Sequence, residues 1–162
     1  MGSGCTRTCP QCGFEYRSAT GIGYMFPLVY AETVQKAKSG ELGIELQEFF
    51  LEHEDGAINA ERVDLCCEDC GYLSCKMDLT MYVPDEKKIA KMEQDPRTAG
   101  MYRKDAKYVT TYDLELIYTE YAKYPHKCEK CGGKMKVMEH NAKIMCPKCK
   151  VPLETSKLYC WD

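Results

Sequence analysis

The chain has 162 residues, a formal net charge of −3 and twelve cysteines. Hydrophobic residues make up 44% and charged residues 29%, a globular composition that excludes a disordered chain. No stretch reaches the roughly 20 apolar residues that span a bilayer, so no membrane partner is expected.

The N-terminus lacks a basic region followed by an apolar run, which sets the expectation of a cytoplasmic protein. In a reducing compartment, dense cysteine points to metal rather than to disulfides. Cys9-Pro-Gln-Cys12, followed by Gly13, is the first motif. Two thiolates three positions apart can turn toward one ion in a tight loop, a knuckle. The next residue often needs positive φ, which glycine adopts without steric cost. The preceding Met1-Gly2-Ser3-Gly4-Cys5-Thr6 also fits an N-myristoylation pattern with an adjacent cysteine.

Gly21, Gly23 and Pro27 mark a turn. They do not match G-x-G-x-x-G, so the nucleotide-loop reading is rejected. Residues 28–38 read as a helix with Pro27 at its start and Ser39-Gly40 at its end. Residues 41–54 read as a second helix: Leu42, Leu46, Phe49, Phe50 and His53 share a face, with Glu45, Glu48 and Glu52 away from it. That stripe is expected to pack on the N-terminal cysteine unit, and its other use is to dock a partner.

Cys67-Glu-Asp-Cys70, followed by Gly71, is the second pair. Cys66 adjoins it, but Cys66 to Cys70 is one position too long. Cys67 is therefore the expected ligand and Cys66 a packing thiol. Residues 76–83 alternate, with Met77, Leu79, Met81 and Val83 on one face, and read as one half-buried strand. Residues 84–106 are charged and read as a linker holding a short helix at 85–92. The Tyr and Thr content of 108–124 favours strand over helix.

Cys128-Glu-Lys-Cys131, followed by Gly132, and Cys146-Pro-Lys-Cys149 complete the set, with strands expected at 134–138 and 157–161. The 14 residues between these two pairs come close to the C-x2-C-x15–20-C-x2-C zinc spacing. Four pairs make two sites of four thiolates. Sequential pairing is simplest, because connections are short and un-threaded. It joins Cys9 and Cys12 to Cys67 and Cys70, and Cys128 and Cys131 to Cys146 and Cys149. Crossed pairing, such as Cys9/Cys12 with Cys128/Cys131, needs interleaved ribbons.

The expected cofactor is Zn2+, two per chain, with iron as the alternative, since a tetrahedral cage of four sulfurs takes either. Such a site is closed, whereas catalytic zinc keeps a position open, so no enzyme is expected. His53-Glu54 does not begin H-E-x-x-H, because residue 57 is Ala. Cys5, Cys75 and Cys160 read as small packing residues.

These motifs carry a resemblance. Cys128-x-x-Cys131-Gly-Gly-Lys-Met and Cys146-Pro-Lys-Cys149 resemble the zinc-ribbon class, with Lys150 standing where the class often has glycine. That resemblance covers roughly the last 40 residues, and together with the four cysteine pairs it sets the expectation of an α+β chain of two small zinc-ribbon units. The first would span 1–83 with a helical insertion at about 28–54, and the second 107–162. The overall plan is similar to uncharacterised small bacterial double-zinc-ribbon proteins. A second resemblance implies different chemistry. Cys9-Pro-Gln-Cys12-Gly13-Phe14-Glu15-Tyr16 is similar to the rubredoxin knuckle C-x-x-C-G-x-x-Tyr, and Cys146-Pro-Lys-Cys149 to its C-P-x-C partner. That implies one iron held by four sulfurs and electron transfer, yet sequential pairing sets these halves in different sites.

Charge is uneven. Residues 1–100 hold 10 Lys and Arg against 17 Asp and Glu, and residues 101–162 hold 12 against 8. The first functional expectation is an interaction or adaptor module that binds another protein through the helical insertion and the acidic half. The alternative is a nucleic-acid-binding ribbon using Lys127, Lys130, Lys134, Lys136, Lys143, Lys148 and Lys150, with His126, His140 and Trp161 nearby. Arginine, the commonest base reader, is absent from 123–162.

Overall fold

A computed structural model describes residues 2–103, 106–139 and 142–161, so His140 lies outside the described residues. In chain order the elements are β1 (Gly2–Thr8), β2 (Glu15–Thr20), α1 (Phe26–Lys38), α2 (Ile44–Glu52), β3 (Ala57–Ile58) and β4 (Arg62–Cys67). There follow β5 (Leu73–Met77), β6 (Met81–Pro84), α3 (Glu86–Gln94), α4 (Thr111–Ile117), β7 (Tyr118–Ala122), β8 (Met135–Val137) and β9 (Glu154–Trp161). The class is α+β, with three small antiparallel sheets among the described residues.

The chain forms two compact units, and both are discontinuous in sequence. The first takes the residues up to Tyr24, Arg62–Asp78, and those from Pro125 onward; the second takes Met25–Glu61 and Leu79–Tyr124. This differs from the expected division into 1–83 and 107–162 about a linker at 84–106.

In the first unit, β1 runs between β2 and β9, antiparallel to both. β4 runs between β5 and β8 in the same manner. Gly2 and Gly4 on β1 have a structural reason. The rings of Trp161 and Tyr159 occupy the space a Cβ would take at those positions. Tyr159 Oη donates to the Ser18 carbonyl at 3.0 Å and Trp161 Nε1 to the Thr20 carbonyl at 3.2 Å. The two rings thus cross the central strand and hold the far one. Tyr16, Leu73 and Ile144 form one buried cluster, against which Phe14, Cys66, Met138 and Leu153 pack. Leu65, Cys67, Cys128 and Met135 form another.

Asp64 of β4 is buried beside the first cluster. It accepts from Tyr16 Oη at 2.7 Å and from Ser18 Oγ at 2.7 Å, and Arg7 stands 3.5 Å away. A buried carboxylate is tolerated when it is paired and hydrogen-bonded in this way. Burial, reinforced by the bond to Asp64, raises the Tyr16 phenol far above its ordinary range and keeps it neutral.

The second unit carries the helical insertion. Pro27 sits in the first turn of α1, and Gly40, at φ 82°, follows its end. Lys36 and Lys38 in the last turn suit the helix dipole. α2 starts at Ile44 rather than at 41, because Gly43 has a non-helical φ of 111°. Leu46, Phe49 and Phe50 are buried as expected. Phe49 and Phe50 meet side chains of this same unit. Phe49 meets the Tyr121 ring at 5.4 Å, and Lys38 Nζ stands 5.3 Å from the Phe50 centroid.

Three further expectations are corrected. The alternating run 76–83 is two strands, β5 and β6, broken where Leu79 adopts φ 61°. There the Leu79 N–H donates to the Asn59 carbonyl at 2.8 Å, and the Leu79 side chain is buried. Residues 111–117 are helical, not extended. Thr110 and Asp113 form a reciprocal capping box: the Thr110 N–H donates to Asp113 at 2.8 Å, and the Asp113 N–H to Thr110 Oγ1 at 3.3 Å. Only from Tyr118 does the chain enter β7. Finally, residues 84–94 pack into the unit instead of linking domains. Asp85 caps α3 by accepting from the Lys87 and Lys88 amides, Met92 is buried, and Lys88 Nζ donates to the Tyr118 carbonyl at 2.6 Å.

Candidate metal centres

Each cysteine pair folds into the same knuckle. The N–H of the first cysteine donates to the carbonyl five residues on: Cys9 to Phe14, Cys67 to Tyr72, Cys128 to Gly133 and Cys146 to Val151, at 2.8–2.9 Å. The residue after the second cysteine donates back to the first cysteine's carbonyl: Gly13, Gly71, Gly132 and Lys150, at 2.8–3.1 Å. That residue is left-handed in all four, at φ 69°, 70°, 74° and 59° respectively. Lysine does in the fourth knuckle what glycine does in the other three.

The sheets decide which knuckles meet. Pairing of β1 with β9 gathers Cys9, Cys12, Cys146 and Cys149. Pairing of β4 with β8 gathers Cys67, Cys70, Cys128 and Cys131. Within each group the four Sγ atoms lie within 4.8 Å of one another. The sequential pairing is therefore overturned, and the crossed pairing of Cys9/Cys12 with Cys128/Cys131 is not adopted either. The pairs nest, first with fourth and second with third. Nesting needs no threading, so it meets the rule that had favoured neighbours. We call the first group the outer centre and the second the inner centre.

Both donor sets fit a tetrahedral ion. A metal–thiolate bond of about 2.3 Å gives an Sγ–Sγ edge of about 3.8 Å. The observed separations are 3.7 Å for Cys12–Cys146, 3.5 Å for Cys67–Cys131 and 3.7 Å for Cys70–Cys128. The first cysteine of every pair is buried, while Cys12 and Cys131 reach solvent.

The thiols also titrate as crowded donors must. The Cys70 amide donates to Cys67 Sγ at 3.5 Å and lowers that thiol to about 7. Burial opposes ionisation of Cys146, but the Cys149 and Lys148 amides, together with hydrogen bonds from Cys9 and Cys12, outweigh it and bring this thiol to about 7 as well. The Gly133 amide favours the Cys131 thiolate, yet hydrogen bonds to Cys67 and Cys70 prevail and push it up to about 12. Cys149, bonded to Cys12, is likewise pushed up to about 12. Four thiolates this close do not all ionise alone, and a dication in their midst removes the obstacle.

Cys66 stands outside both groups. Its Sγ points to the Cys67 carbonyl at 3.7 Å, and burial raises its pKa. Cys75 donates to the Ala19 carbonyl at 3.3 Å, Cys5 is buried and Cys160 is exposed. The seven lysines of the nucleic-acid alternative, Lys127, Lys130, Lys134, Lys136, Lys143, Lys148 and Lys150, are all exposed. Lys134 stands 3.9 Å from Glu68, and Lys148 Nζ lies 5.9 Å from the Phe14 ring centroid. His126 is buried with Nε2 2.6 Å from the Asp78 carbonyl, and burial lowers its pKa. Trp161 is committed to β1 and β2.

The sequence held one signal for the nested pairing: the two rubredoxin-like halves, residues 9–16 and 146–149, meet in the outer centre. No protein family, no curated protein and no solved structure matches the chain. No helix among the described residues is long and apolar enough to cross a membrane.

Proposed function

We propose that the protein is a zinc-dependent interaction module. Two Zn2+ ions hold the first unit, and the second unit presents a surface to another protein. The observation that carries the structural role is the donor set. Four cysteines fill each tetrahedron, which leaves no coordination position for water or substrate. We assign the centres no catalytic step. Zinc supplies folding free energy to hairpins whose own cores are small.

Support for the docking role comes from α2. Its outward side carries Ile44, 57% exposed, and Leu51, 79% exposed, among the exposed Glu45, Glu48 and Glu52. An apolar stripe set in acids suits a partner segment that is itself apolar and basic. Metal analysis tests the first half: two zinc per chain, no visible absorbance, and loss of the first unit's structure on chelation. For the second half, photo-crosslinking from position 48 should capture a partner whose contact segment is basic and apolar. Leu51→Asp should abolish that capture while metal content stays at two.

One observation favours iron in the outer centre. The segments that resemble the two halves of a rubredoxin site, Cys9 to Tyr16 and Cys146 to Cys149, converge on one cage. A red protein with thiolate-to-iron absorbance would establish electron transfer as the function, and a colourless two-zinc protein would remove it.

A further inference from the structure

Lys150 is the one knuckle residue in the left-handed position that is not glycine. A side chain there strains the backbone, whereas glycine does not. Such an outlier points to a role for its side chain. Lys150 Nζ reaches Gly71, the closing residue of a different knuckle, and stands 3.1 Å from where a Gly71 Cβ would be. Pro147 Cα lies 3.8 Å from the same point. The fourth knuckle, of the outer centre, therefore abuts the second knuckle, of the inner centre.

The two centres also share a core. Phe14, Tyr16, Ile144 and Leu153 flank the outer cysteines, while Cys66 and Leu73 flank the inner ones, and all six belong to one cluster. Four thiolates around a dication leave each centre with a charge of about −2. Two such centres on one small core repel each other. An ammonium set between the knuckles offsets that repulsion, and the missing Cβ of Gly71 gives it room.

We propose that Lys150 couples the two metal centres: its backbone closes the outer knuckle, while its ammonium screens the charge of the inner one. Metal retention by Cys67, Cys70, Cys128 and Cys131 then depends on a residue that belongs to the other site. This rests on the reading of both clusters as metal centres. Lys150 is a positioning residue, since it belongs to neither sulfur cage.

Cadmium-113 is a direct probe. The full chain loaded with 113Cd2+ should give two resonances, each assigned through coupling to its own cysteine β-protons. Release to a chelator is then followed separately at each centre. In Lys150→Gln, which keeps the stem and removes the charge, the inner centre should lose cadmium about threefold faster at low salt, the size expected of one exposed charge. The difference should shrink at high salt. Lys150→Arg should release cadmium as wild type does. Lys150→Gly relieves the backbone, so it folds even if the Gln variant does not. Its outer centre should hold cadmium more firmly while its inner centre still loses it faster. Unchanged inner-centre release in the Gly variant, with two cadmium ions bound, overturns the proposal. A chain that binds no cadmium at all overturns the metal-centre reading itself, and the coupling with it.

Discussion

The Sγ atoms of Cys12 and Cys146 lie 3.7 Å apart although the two residues are 134 positions apart in the chain. β1 and β9 make this contact by pairing from Gly2 with Trp161 through to Thr8 with Glu154, just ahead of the first knuckle. An ion in the outer centre therefore closes a very long loop, and one in the inner centre closes a shorter loop inside it.

That nesting sets the metal content of double variants. Cys12→Ser with Cys146→Ser damages one centre, so one metal ion per chain should remain. Cys12→Ser with Cys67→Ser damages both, so none should remain. Sequential pairing would give the reverse in each case, and metal analysis of the two purified proteins decides between them. Cys128→Ser alone should empty the inner centre and leave the outer one filled.

Cys66→Ala should leave both ions in place. The Cys66 thiol packs against Tyr16, Leu73 and Ile144 and lies outside both sulfur cages. Its loss should cost about 1 kcal/mol of stability through a small cavity, read by denaturant unfolding. A variant that binds one ion instead of two would assign Cys66 as the ligand in place of Cys67.

The eight cysteines were legible in the sequence because C-x-x-C is a local signal: the knuckle closes within five residues. Which knuckles meet was legible only in the two rubredoxin-like halves, because β1–β9 and β4–β8 pairing is non-local. The 14-residue spacing between the third and fourth pairs imitated a single site while joining two. The helix at Thr111–Ile117 was hidden by its Tyr and Thr content, and the Thr110-x-x-Asp113 capping box was the signal that outweighed it. The break at Leu79 was invisible for the opposite reason. Period-2 alternation ran through it undisturbed, while the backbone turned left-handed to bond Asn59.

Tyr118 makes the second unit sensitive to alkali. Burial, with Tyr102 and Asp55 nearby, pushes its phenol up to about 12, against 10.0 for a free tyrosine. Above pH 10 the unfolded chain loses this proton while the folded one keeps it, so stability falls as pH rises. The contribution is intact below about pH 10 and is lost by about pH 12, a change of roughly 2–3 kcal/mol. Tyr118→Phe should flatten that slope in denaturant unfolding series between pH 9 and 11. A slope unchanged by the substitution would assign it to other groups.

Gly4 should be the most sensitive position on β1. An added methyl group would overlap the Tyr159 ring, and Tyr159 cannot swing away without losing its bond to the Ser18 carbonyl. Gly4→Ala should therefore cost about 2 kcal/mol, the usual scale of overpacking. Gly2→Ala should act alike through Trp161, which also stacks on Arg62. The comparison that isolates the ring is a double-mutant cycle. On a Tyr159→Ala background the space over Gly4 is open, so Gly4→Ala should become neutral or slightly stabilising, since alanine loses less entropy than glycine on folding. An equal loss in both backgrounds would place the cost in the β1 backbone and not in the ring.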